Sequence, residues 1–209
     1  MDEQPIRNPY HPERFPIVIV ISGPSGVGKD SVLQELQARG YPFHFVVTAT
    51  SRPPRPQEIH GVDYVFVSEA EFEAMIREDA LIEHALVYGQ YKGVPKQQVR
   101  EALASGKDVV MRLDVQGAAT VKHLLPEAIL IYLSAASGEE LVARLRSRAS
   151  DTEAQIQRRI ETAQEELRCL GKFDYVVVNA EGALDQTVDT ILAIIKSEHC
   201  RVHPRIIRL

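Results

Sequence analysis

Lys29 closes the run Gly23, Pro24, Ser25, Gly26, Val27, Gly28, and glycine, glycine and lysine at that spacing can cradle a phosphate chain. Glycine lets backbone N–H groups converge on phosphate oxygens without a Cβ in the way. The start of the following helix adds unpaired N–H groups and the positive end of a dipole. Lys29 supplies a mobile cation for the outer phosphates. The next position usually carries a hydroxyl that helps to hold Mg²⁺. Here it is Asp30.

A second anion site is expected in the Pro-rich run 48–61. Arg52 and Arg55 sit three residues apart between prolines. Two guanidinium forks at that spacing suit one phosphate, and proline limits the entropy lost when the loop is fixed. Tyr64 offers a phenol to the same oxygens. Glu83 interrupts the apolar run 81–86, and its two acceptor oxygens match the N1–H and amino group of a guanine edge. Thr48 can add a hydroxyl contact, and Asp114 follows an apolar strand at a position common beside nucleotides. Arginines crowd residues 141–159. Arg144 and Arg148 share a helix face, and Arg159 lies beyond a break at 149–150. Two short helices there would form a flap, and its arginines could close over a transferring phosphoryl group. Arg146 and Arg158 are read as solvated charge.

The elements that must position these residues follow from periodicity. Residues 17–21 are β-branched throughout, as in a strand buried on both faces. Helices are expected over 30–39, from the Ser68 cap to about 79, from Pro95 to about 106, over 116–125, from Ser137, from Asp151 to 170, and over 184–196. Strands are expected over 43–47, 62–67, 81–88, 108–113, 128–133 and 175–178. Residues 48–61 read as loop, and 90–94 as a turn through Gly93. Strand and helix alternate, so the fold class is α/β, a parallel sheet flanked by helices. Residues 48–94 break the rhythm and suggest a small mixed β insertion.

Composition narrows the choice of partner. With 209 residues, 44% hydrophobic and 25% charged, the chain can bury one α/β core. A net charge of −5 argues against general nucleic-acid affinity, and no run is apolar enough to span a membrane. Cys169 and Cys200 are too few for a disulfide framework and lack metal-ligand spacing, which points to a reducing compartment, read as cytoplasmic. The N-terminal 15 residues read as a leader without a targeting pattern. The basic tail 198–209 is expected to pack on the core or on another subunit, in a monomer or homodimer.

The order of these motifs resembles the guanylate kinase family from residue 17 to about 196. Residues 50–67, TSRPPRPQEIHGVDYVFV, are similar to its GMP-binding signature, and segments at Glu83, Asp114, 144–151 and Asn179 continue the likeness. The resemblance implies ATP and GMP as substrates, ADP and GDP as products, and Mg²⁺. It implies Gly23 to Asp30 at the ATP phosphates and Asn179 near the adenine. Arg52, Arg55, Tyr64 and Lys92 would take the GMP phosphate, and Thr48, Glu83 and Asp114 the guanine. Lys29, Arg52, Arg144, Arg148 and Arg159 would be catalytic. It further implies a core of residues 16–47, 95–137 and 171–197, a GMP-binding domain at 48–94 and a lid at 138–170. Three positions depart from the family pattern. Asp30 replaces Ser or Thr and is expected to reach Mg²⁺, directly or through water, or to pair with Lys29. Lys92 replaces a Tyr, and Arg112 takes the first acidic place of the motif that ends in Asp114, Val115, Gln116 and Gly117. Two rival readings share parts of the pattern: a ribose 1,5-bisphosphate phosphokinase and a non-catalytic domain that binds phosphopeptides.

Overall fold

The computed structural model describes residues 14–87, 89–147 and 152–209. Its centre is a five-stranded parallel sheet in the order β2-β7-β1-β8-β9. These strands are β1 (Val18–Ser22), β2 (His44–Phe45), β7 (Val109–Arg112), β8 (Ile129–Ser134) and β9 (Tyr175–Val178). Every residue of β1 is buried. Its alternating side chains serve two cores, because neighbours on a strand point to opposite faces. Ile17, Ile19 and Ile21 pack with Val32 and Leu36 of α1 (Lys29–Ala38) and with Val188 and Ile191 of α7 (Leu184–Glu198). Val18 and Val20 pack with Val99 of α3 (Lys96–Ala104) and Val121 of α4 (Val115–Leu124).

The second sheet has four strands in the order β4-β3-β6-β5. They are β3 (Ala49–Thr50), β4 (Val65–Phe66), β5 (Leu81–Val87) and β6 (Gln90–Pro95), with α2 (Glu69–Arg77) between β4 and β5. The expected Ser68 cap is present as a full capping box with Glu71, which satisfies two orphan N–H groups at the start of α2. Phe72 of α2 packs against Ala49 and Leu81 in a small core of its own.

Four expectations change here. Residues 90–94 do not turn: they form β6, paired antiparallel with both β3 and β5, and the helix after Pro95 begins at Lys96. Gly93 is there for close packing. A Cβ on it would lie 2.8 Å from the Glu83 carbonyl oxygen and 3.0 Å from the Phe72 ring. The run 48–61 is not wholly loop, since Ala49 and Thr50 pair on one side with β4 and on the other with β6. The strand expected over 43–47 shortens to two residues, and that over 62–67 to Val65–Phe66.

After β8 come α5 (Gly138–Arg146), capped by Ser137, and α6 (Glu153–Leu167), capped by Thr152. A single 3₁₀ turn, Leu170–Lys172, leads into β9. Arg148, the expected break at 149–150 and the expected cap Asp151 lie outside the described residues, as does Tyr88. The tail packs on its own chain. Arg205 bonds the buried Glu198 at 2.8 Å, Glu198 accepts from the Tyr175 hydroxyl at 2.5 Å, and Ile207 and Leu209 cover the α3–α4 core. No described helix is long and apolar enough to cross a membrane.

Candidate active site

The turn between β1 and α1 is held open from behind. Gly23 has φ +138°, and a Cβ there would lie 2.3 Å from the Leu133 carbonyl oxygen. Gly28, the N-cap of α1, has φ +95°, and its Cβ would meet the Asn179 amide nitrogen at 2.4 Å. Only glycine suits both constraints. No side chain caps α1, so its first N–H groups stay directed at the turn. Lys29 lies across the turn, its Nζ donating to the carbonyl oxygens of Gly23 (2.5 Å) and Pro24 (2.9 Å).

Three other expected residues converge on the same turn. Asn179 is 5% exposed, and its amide donates to the Val27 carbonyl at 2.8 Å while its oxygen accepts from Thr187 at 3.1 Å. Its side chain therefore braces the turn from beneath, with both amide groups engaged. Arg144 donates to the Val27 carbonyl at 3.2 Å and to the Asn179 carbonyl at 2.8 Å, and it pairs with Glu140. Arg159, on α6, donates to the Ser25 hydroxyl at 2.9 Å. The arginines of α5 and α6 thus reach the phosphate turn from two separate helices.

Beside the turn is a cavity of about 180 Å³ lined by Lys29, Thr48, Tyr64, Glu83, Lys92, Arg112 and Asp114. The parallel sheet ends here, with Asp114 capping α4 by accepting from the Gly117 N–H at 2.7 Å. Glu83, from β5, is 9% exposed. Burial, and then the nearby Asp114 charge, push its carboxyl up to about 7. Lys92, from β6, is shifted down by burial and by the charges of Arg52 and Arg55. Cations and carboxylates thus share one small space.

Arg52 is held more tightly than its place in a Pro-rich loop suggests. Both its terminal nitrogens grip Glu58, at 2.6 and 2.5 Å, in the forked geometry that suits a carboxylate. The Arg55 N–H also donates to Glu58 at 2.8 Å. These bonds, the Arg52 pair first, take the Glu58 carboxyl down to about 2. The Arg52 guanidinium lies 4.8 Å from the Tyr64 ring centre and 5.4 Å from that of Phe66. Stacked and paired in this way, its guanidinium has little rotamer freedom left.

Residues 16–198 match the guanylate kinase family, most of the chain. The chain belongs to the guanylate kinase family. It is 50% identical over 202 residues to "Guanylate kinase 2, chloroplastic/mitochondrial" of Oryza sativa subsp. japonica, covering 96% of this chain and 71% of that protein. It is 43% identical over 185 residues to a guanylate kinase of Halalkalibacterium halodurans, covering 88% and 90%. Among solved structures it is similar to guanylate kinase from Anaplasma phagocytophilum, with a TM-score of 0.70 and 28% identity over 91% of this chain and 89% of that one.

Within this guanylate kinase frame, two residues of the site were visible in the sequence but had no partner assigned to them. Glu58 is one, although its spacing from Arg52 and Arg55 stands in the signature. Arg112 is the other. It forms an ion pair with Asp30, a partnership that neither residue's place in the sequence shows. A third group bears on the site from a distance. Glu166 of α6 is pushed up to about 7 by burial, with the Lys29 charge opposing that shift and the Asp114 charge adding to it.

Proposed function

We propose that the chain transfers the γ-phosphoryl group of ATP to GMP in one in-line step, giving ADP and GDP and recycling GMP. The observation that carries this reading is the composition of the 180 Å³ cavity, where Lys29 of the phosphate turn faces the same space as Glu83 and Asp114. In this reading Gly23 to Lys29 hold the ATP phosphates. Arg52, Arg55, Tyr64 and Lys92 hold the GMP phosphate, and Lys92 does so as a point charge where the family has a phenol. Glu83 accepts from the guanine N1–H and amino group, with Thr48 and Asp114 beside it. Arg144, Arg148 and Arg159 neutralise charge on the transferring group. Residues 48–94 then serve as the GMP-binding domain and 138–170 as a lid whose closure excludes water, the competing acceptor.

Mg²⁺ belongs to this reading as an ion carried by ATP. Among the described residues no group of three or more His, Cys, Asp or Glu could cage a metal. Asp30, in the first turn of α1, is engaged by Arg112, so in this reading the ion keeps its waters and is held mainly by the substrate phosphates beside Lys29. Bound there, the ion would neutralise phosphate charge. We further propose a cytoplasmic protein acting as a monomer or homodimer, a compartment consistent with the two free cysteines.

An ADP-release assay with GMP, AMP, UMP and ribose 1,5-bisphosphate as acceptors tests the assignment. GMP alone is expected to give robust turnover, and preference for any other acceptor contradicts it. The acceptor side makes a finer prediction. Glu58→Gln leaves one acceptor oxygen for three donors, so KM for GMP should rise about tenfold with kcat less affected, the size of one charge-assisted hydrogen bond. Initial rates at varied GMP check this.

A further inference from the structure

Two of the three positions at which this chain departs from its family's pattern are partners of each other. Asp30 stands in the first turn of α1, directly after Lys29. Arg112 ends β7, and the parallel register sets it opposite Ile21, two residues before Gly23. The two elements therefore flank the phosphate turn, and the Arg112–Asp30 ion pair ties them together beside it. The pair also forms a wall. On one side Arg112 lines the acceptor cavity with Lys29 and Lys92. On the other, Arg112 and Asp30 line a second cavity of about 290 Å³.

An arginine this close to a phosphate site is useful only if its fork is aimed. The free side chain has many rotamers, and holding it in one costs entropy. Asp30 engages one terminal nitrogen of Arg112, and a guanidinium has further N–H donors for a second oxyanion. Side-chain exposure is 36% for Arg112 and 64% for Asp30, so the cation is the inner member and the carboxylate the outer. Burial lowers the affinity of Arg112 for its proton without bringing it near neutrality. A cation thus ends β7, and a carboxylate stands opposite it on the helix that faces it.

The geometry points to Arg112 as an additional catalytic cation of this chain, contacting the phosphoryl group between donor and acceptor, with Asp30 as its positioning residue. This rests on the reading of the cavity as the GMP site. Lys29 and Arg112 would then flank the transferring group from the start of α1 and the end of β7. Negative charge spreads over the equatorial oxygens during transfer, and a prealigned cation stabilises that charge more than it stabilises either bound substrate.

A double-mutant cycle tests the pair. Arg112→Ala is expected to lower kcat at least about tenfold, with KM for GMP changed less than about threefold, because the contact forms in transfer and not in binding. Asp30→Ala should give a similar fall. The double variant should be no slower than the slower single one, because residues that act as a unit are non-additive. Calorimetric titration of GMP without ATP should give wild-type affinity for both single variants, which also shows that they fold. Wild-type turnover with GMP tests the underlying reading separately. The proposal is overturned if the two losses multiply, which makes Asp30 act independently of Arg112. It is also overturned if either single variant keeps wild-type kcat, or if Arg112→Ala loses GMP binding instead of turnover.

Discussion

Replacing Lys29 with alanine is expected to lower kcat about a thousandfold, at the upper end of what one preorganised donor to developing charge contributes. Lys29 is the cation nearest the helix start, and its Nζ already spans the carbonyls of Gly23 and Pro24. An arriving phosphate chain offers those donors a charged acceptor in place of neutral ones, and charge-assisted bonds are about twice as strong. The turn itself should survive the substitution. Asn179 and Arg144 hold the Val27 carbonyl, and Arg159 holds Ser25, from three other elements. Thermal unfolding should therefore shift by only a few degrees while turnover collapses. Lys29→Arg should not rescue it, because a planar fork cannot replace a compact ammonium in so tight a turn. Steady-state kcat, read beside the melting temperature, decides between this outcome and loss by misfolding.

Glu83→Gln is expected to lower kcat/KM for GMP about a hundredfold at pH 8, in line with a buried site that leaves substrate donors unpaired. In the proposed reading the carboxylate offers acceptors to two guanine donors, whereas the amide turns one of its groups into a donor that opposes them. The pH dependence supplies an independent signature. Burial and Asp114 push Glu83 up to about 7 in the free protein. Below that pH the group is a neutral acid and must lose a proton to receive guanine. Wild-type kcat/KM for GMP should then fall as pH drops below 7, approaching tenfold per unit, since that parameter reports the free enzyme. The glutamine variant should lack this limb.

Stability should move the opposite way. A carboxyl whose folded-state pKa is raised binds its proton more tightly folded than unfolded. Its contribution to stability is therefore greatest below the unfolded pKa and is lost as pH rises through about 7. At pH 8 the wild type bears the full cost of a buried charge beside Asp114. Glu83→Gln should raise the melting temperature there by about 3 °C or more, while crippling capture of GMP. A variant that lost both activity and stability would point to a structural role for Glu83 instead.

What could be read from the chain alone depended on how local each signal is. The phosphate turn is a contiguous run whose glycine spacing carries its own geometry, and the Ser68 capping box needs only four residues. The alternation of strands and helices was equally plain, because β1 is apolar on both faces. Residues 90–94 read as a turn because Gly93 signals one locally, and Pro95 reads as a helix start. What places Gly93 in a strand is the approach of the Glu83 backbone and the Phe72 ring, which only the second sheet creates. Asn179 could be placed near the nucleotide, but not beneath the turn, because its contacts with Val27 and Thr187 depend on how β9 and α7 pack.

The pairing of Asp30 with Arg112 was hidden for a related reason. Each looked like an isolated departure, and the register of β1 against β7 is what brings them together. Glu58 was in view, but only the loop's folded path shows both nitrogens of Arg52 closing on it.

The central claim is that one cavity receives GMP and one turn delivers a phosphoryl group to it. Incubating the 209-residue chain with γ-labelled ATP and GMP, then separating the nucleotides from inorganic phosphate, tests it most directly. Label recovered in GDP, with little in free phosphate and none transferred when AMP replaces GMP, is the expected result. Label released only as phosphate, or no GMP-dependent transfer by folded protein, would contradict the account.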